Sequence, residues 1–151
     1  MFTVKKILFP VDFTMNMEKI IPIVKDMVKA FDAKLYVIHV IRSAEEFVGF
    51  EMGTAWYAAL EKDLMDGAEK SMRRLVTEQL EDIDGVETQI AVGDVVDEIL
   101  DYTKKQGIDL IIIGTHGRKG LEKVMFGSVA EGIIKEAPCP VLTVNPYKVG
   151  K

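Results

Sequence analysis

The sequence predicts an α/β fold: a single doubly wound, open sheet of parallel strands with helices on both faces. Three features carry that expectation. Short hydrophobic runs alternate with helix-period stretches along all 151 residues, the signature of strand–helix–strand units. Strands joined in that way run parallel, and their crossover helices cover both faces of the sheet. No repeat, low-complexity tract or linker interrupts the pattern, so residues 1–151 read as one domain, long enough to bury a sizeable core.

Ile7-Leu8-Phe9 is the first strand, ending at Pro10-Val11-Asp12. A helix follows over about residues 16–31, with Ile20, Ile21, Val24, Met27, Val28 and Phe31 on one side. Pro22 falls inside it and is expected to kink it or delay its start. Leu35–Val40 is a β-branched second strand, and residues 42–54, with Gly49 and Gly53, are the least regular segment. A long helix over about 55–80 carries Leu60, Leu64, Leu75 and Leu80, and Gly67 in its middle reads as a close-packing position. Val86–Val92 is the third strand. Gly93-Asp94 opens a helix with Val95, Val96, Ile99 and Leu100 inward, and Gly107 closes it after Lys104-Lys105. Leu110–Ile113, Ser128–Glu136 and Val141–Val144 complete the alternation as strand, helix and strand.

Composition narrows the function classes. Apolar content of 48% and charged content of 28% suit a folded protein in water. A formal net charge of -5 lacks the basic footprint of a nonspecific nucleic-acid binder. Lys5 and Lys6 precede a short apolar run without the shape of a signal peptide, and no apolar run approaches a membrane span. The chain has one cysteine, Cys139, between two prolines; it reads as a buried structural thiol in a reducing compartment. The expectation is a cytoplasmic protein that engages neither nucleic acid nor membrane.

The most informative stretch is Gly114-Thr-His-Gly117-Arg-Lys-Gly-Leu-Glu-Lys-Val-Met-Phe-Gly127-Ser128. A strand that stops at a glycine turn leaves amides unpaired at its carboxyl end, and a helix starting at Gly127-Ser128 adds more, with the positive end of its dipole. Together they make an anion pocket, and the usual anion in α/β proteins is phosphate. The spacing is G-x-x-G, nine residues, then G-S. It is not a Walker loop, and the glycine-free turn Phe9–Thr14 is not a dinucleotide fingerprint. Arg118, Lys119 and Lys123 against Glu122 give the spacer a local positive excess on an acidic chain.

At these residues the chain resembles the universal stress protein family, in its nucleotide-binding branch. The likeness extends over Lys6–Asp12, over Leu35–Val40 ending in His39-Val40, over Gly114-x-x-Gly117-x9-Gly127-Ser128, and over Ala137–Val144. The resemblance implies an adenine-nucleotide α-hydrolase-like sheet of order 3-2-1-4-5, ATP at the switch point between strands one and four, and a homodimer. It places Pro10, Val11, Asp12 and Val40 on the adenine and ribose side. Gly114, Gly117, Gly127, Ser128 and Val129 then hold ribose and phosphates through backbone amides, with His116 and Arg118 as further candidates. ATP, ADP and AMP are not separated by these residues, and Mg²⁺ is the expected companion of the phosphates.

Other readings stay open at this point. Ser128 with Glu131 forms a capping box without any ligand. Asp12 reads as a ribose or adenine acceptor, as a partner of a divalent ion, or as the cap of the first helix. His116 reads as exposed loop material, and His39 as a satisfied core histidine. Phe47, Phe50, Trp56 and Tyr57 read as a small satellite core, with a nucleotide lid or partner contact as alternatives. Met15 and Met17 read as gap-filling residues near the pocket mouth. An apolar Val141–Val144 at the sheet edge calls for pairing with a second subunit. With no base–nucleophile pair and no catalytic residue visible, the expected role is an ATP-binding regulatory protein of stress response with an unidentified protein partner. A slow ATPase, an adenylyl-transferring enzyme and a nucleotide-free dimeric interaction module are the alternatives.

Overall fold

A computed structural model describes residues 1–43, 53–116 and 127–149. The elements are β1 (Lys6–Pro10), α1 (Met15–Phe31), β2 (Lys34–Ile41), α2 (Thr54–Gln79), β3 (Glu87–Val92), α3 (Val95–Gln106), β4 (Leu110–Gly114), α4 (Ser128–Glu136) and β5 (Val141–Val144). Each expected strand and helix is present, most within one residue of the reading above. The five strands form one parallel sheet of order β3-β2-β1-β4-β5.

Side chains alternate between the two faces, as the strand period of two requires. Ile7, Phe9, Leu35, Val37, Leu110 and Ile112 enter a core shared with α1 and α2. Leu8, Tyr36, Ile38, Ile111 and Ile113 enter a second core against α3 and α4. Central strands β1, β2 and β4 are thus apolar on both sides, whereas edge strand β3 has no buried residue. No helix among the described residues is long and apolar enough to cross a membrane.

Helix ends follow local chemistry. Thr14 caps α1 by accepting the Met17 amide at 3.4 Å, and Asp94 caps α3 by accepting the Asp97 amide at 3.0 Å. Gly107 ends α3 at φ 65°, a left-handed turn that favours a residue without Cβ. Pro22 is accommodated inside one continuous helix, α1. The capping-box expectation fails: the N-cap of α4 is Gly127, Ser128 is the first helical residue, and Glu131 pairs instead with Lys135 at 3.2 Å. Gly67 is no packing position either, since a Cβ there would meet nothing within 4 Å. The close helix contact is at Gly132, where a Cβ would lie 2.9 Å from Val96 of α3.

Candidate functional site

The chain crosses the sheet between β3 and β4, so strand order reverses between β1 and β4. Ligands of open α/β sheets bind beyond the strand ends at such a point. The pairing of β1 with β4 stops at Leu8↔Ile111, while β1 stays paired with β2 as far as Pro10↔Ile38. A cleft of about 1110 Å³ occupies this end of the sheet, generous for a nucleotide-sized ligand.

Of the residues expected in the site, Pro10, Val11 and Asp12 line the cleft from the end of β1, and Val40 lines it from β2. Gly114 and His116 line it after β4, and Gly127, Ser128 and Val129 at the start of α4. Gly117 and Arg118, with Lys119, Glu122 and Lys123, lie outside the described residues. The topology thus brings four separated stretches of sequence to one cavity.

The β1 turn is tightly specified. Asp12 Oδ1 accepts both the Thr14 amide (3.1 Å) and the Thr14 hydroxyl (2.7 Å), so Asp12 orients the capping residue and is not itself the cap of α1. Both bonds use Oδ1, which leaves Oδ2 for other partners. Phe13 between them stands at φ 60°, a conformation that costs a residue with Cβ about 1–2 kcal/mol. Its ring lies against His39, with centroids 4.5 Å apart. His39 Nδ1 is 2.8 Å from the Val11 carbonyl; a carbonyl accepts, so that nitrogen carries the proton. The Val11 amide in turn donates to Ile38 at 2.8 Å. His39 is the satisfied histidine the sequence suggested, and it also lines the cleft.

The glycines of the motif have reasons that the spacing did not reveal. Neither Gly114 nor Gly127 has a positive φ, so each is needed for close approach, not for its turn. A Cβ at Gly114 would stand 2.5 Å from Ile20 Cδ1, and one at Gly127 would stand 3.2 Å from the Thr115 carbonyl. The Gly127 amide donates to that carbonyl at 2.6 Å. No side chain among the described residues caps α4, and the next amides, at the cleft's edge, have no intrahelical acceptor. The arrangement can hold an anion at α4 and a neutral ring or hydroxyl group against Val11, Asp12 and Val40.

His116 departs from its expected exposure: it is 6% exposed, packed under the segment that follows β5. Met17 is buried and lines the cleft, whereas Met15 is exposed and lies outside it. Phe47 and Phe50 fall outside the described residues. Trp56 is 40% exposed and meets Tyr57 edge-on at 5.7 Å, so these two form no buried satellite core. Cys139 is half-buried, and burial raises its thiol pKa, which keeps it protonated and unreactive at neutral pH. Sequence reasoning missed Phe13, Thr115 and the α2 wall (Asp63, Gly67, Ser71). Adjacency to Asp12 and Gly114 was the available signal for the first two; nothing local marks the third.

The universal stress protein family model matches residues 3–145. The chain belongs to the universal stress protein family. A universal stress protein of Methanocaldococcus jannaschii is 36% identical over 127 residues, 82% of this chain and 71% of that one. A second protein of that organism, MJ0577, is 32% identical in its solved structure, with TM-score 0.76 over 95% of this chain and 96% of that chain. A universal stress protein from Archaeoglobus fulgidus, solved in complex with dAMP, shares the fold at 19% identity and TM-score 0.61, over 96% of this chain and 100% of that one. A further universal stress protein structure, solved in complex with cAMP, shares the fold at 17% identity and TM-score 0.59, over 95% of this chain and 98% of that one.

Proposed function

We propose that this universal stress protein binds ATP in the cleft between the end of β1 and the start of α4, and acts in stress response as a nucleotide-dependent regulator and homodimer. One observation carries the reading: Asp12, Val40, Gly114 and the Gly127–Val129 turn, far apart in sequence, line one cleft at the strand-order reversal. The start of α4 supplies amides and a positive dipole end for phosphate. Pro10, Val11 and Val40 supply an apolar wall for adenine, and Asp12 Oδ2 an acceptor for ribose hydroxyls. Gly117 and Arg118 complete the proposed contacts, with His116 in the cleft wall. The adenine nucleotides held by the two related proteins above support the ligand class.

Mg²⁺ fits as a passenger of the phosphates. No cluster of three or more metal-ligating side chains exists among the described residues, and Mg²⁺ on a nucleotide needs one or two protein carboxylates with the rest from phosphate and water. Asp12 Oδ2 would meet that need in place of its ribose contact, since Oδ1 is held by Thr14. When bound, the ion would neutralise phosphate charge. The apolar edge strand β5 supports pairing between two copies.

The deciding experiment is acid extraction of freshly purified protein for nucleotide content, then calorimetric titration with ATP, ADP and AMP with and without Mg²⁺. Stoichiometric or micromolar ATP is expected. No heat with any adenine nucleotide would replace the reading with a nucleotide-free interaction module.

A further inference from the structure

Thr115 and His116 follow β4 directly, and each is 6% exposed. The Thr115 carbonyl accepts the Gly127 amide at 2.6 Å, and its own amide donates to Val144 at 2.9 Å. Thr115 therefore ties the residue that begins α4 to the last residue of β5. Its hydroxyl lies 2.7 Å from His116 Nδ1. The imidazole meets the Tyr147 ring edge-on, 4.9 Å between centroids. Tyr147 belongs to the segment after β5 and is anchored in turn. Asn16 Nδ2 donates to its hydroxyl at 3.3 Å, Lys19 Nζ stands 5.4 Å from its ring centre, and its amide donates to Asn145 Oδ1 at 2.9 Å.

His116 Nε2 is sealed from solvent and has no hydrogen-bond partner among the described residues. A buried, unpaired ring nitrogen is destabilising, so the position is not explained by stability alone. A sealed atom also does not face a ligand, because an atom that touches a ligand opens to solvent when the ligand is away. The working side of the ring is Nδ1, and what it works on is Thr115.

We propose that His116 and Tyr147 form a brace that positions Thr115, and through it the first amides of α4, for the phosphate groups of the bound nucleotide. The proposal rests on the nucleotide-binding reading above. Both are positioning residues: neither touches the ligand. Small displacements of an amide weaken a charge-assisted hydrogen bond steeply, whereas the adenine and ribose side is held independently by β1 and β2. Loss of the brace therefore reduces the advantage of ATP over adenosine and leaves adenosine binding in place.

The test is calorimetric titration of ATP and adenosine into the whole chain and its variants, with thermal melts to confirm folding. His116→Ala and Tyr147→Ala are expected to weaken ATP about ten-fold or more, the scale of one hydrogen bond to a charged group, with adenosine within about two-fold. His116→Asn, which keeps an amide near the Nδ1 position, is expected to recover most of the ATP preference. His116→Gln, whose amide falls nearer Nε2, is expected not to. Tyr147→Phe, which keeps the ring, stays close to wild type. An unchanged ATP-to-adenosine ratio, an equal loss of both, or rescue by Gln in place of Asn would overturn the brace while wild type still binds ATP. Should the alanine variants fail to fold, the Asn and Gln pair decides. Failure of wild type to bind any adenine nucleotide sinks the nucleotide reading and the brace with it.

Discussion

At the residue scale, Asp12 has two jobs that use different oxygens. Oδ1 holds Thr14 at the start of α1, and Oδ2 is assigned to the ligand. Asp12→Asn keeps a side-chain carbonyl for the turn but removes the charge. It should leave the melting temperature within a few degrees while weakening ATP by about 1–3 kcal/mol; a collapse of folding would assign the residue to the turn alone. Gly127 is confined by the Thr115 carbonyl, 3.2 Å from where a Cβ would stand. Gly127→Val should abolish nucleotide binding with circular dichroism unchanged, at a stability loss of about 1–3 kcal/mol from overpacking. Unaltered ATP affinity would remove this residue from the site.

At the scale of single elements, α2 keeps a glycine that neither turns nor packs. Gly67 sits inside the helix on the wall of the cleft, with open space where its Cβ would be. Gly67→Ala should therefore stabilise the chain by about 0.5–1 kcal/mol, read as a shift in urea midpoint; destabilisation would reveal a contact the geometry does not show. The turn after α2 is joined to α1 by Asp82, which takes Lys25 at 2.6 Å and Lys29 at 3.0 Å. Hydrogen bonds from Lys25 and then Lys29 hold its carboxyl at about 2, below the ordinary 3.8. A depressed carboxylate pKa contributes stability above the unfolded value and loses it as pH falls through the folded one. The melting-temperature gap between wild type and Asp82→Asn should thus be present at pH 7, shrink below about pH 4 and close near pH 2. Because the Lys29–Asp82 pair is exposed and Lys25 only partly covered, added salt should narrow that gap.

For the whole molecule, the order β3-β2-β1-β4-β5 leaves two edges of different character. Strand β3 has no buried residue, which discourages pairing, while β5 leaves Val141 and Leu142 partly exposed. Sedimentation over a range of concentrations should give a dimer; a monomer at every concentration would withdraw β5 as an interface.

Local information in the chain was enough to place every strand and helix, because periodicity, caps and glycine stops are set within a few residues of one another. The capping chemistry of α3 and the ends of α4 and β5 are legible in that way. The crossover between β3 and β4, by contrast, is a long-range event that no local signal specifies; the family resemblance, not periodicity, implied the order 3-2-1-4-5 that puts Asp12 and Gly127 on one cleft. Burial is equally non-local. His116 follows a strand in a polar, glycine-rich stretch and reads as exposed, yet Tyr147, thirty-one positions on, covers it. Gly114 and Gly127 were legible as important but not for their steric reason, since Ile20 and the Thr115 carbonyl reach them only in the folded chain. Sequence neighbours determine where the backbone starts and stops each element; which atoms fill the space beside it depends on packing between elements, and only the tertiary structure decides that.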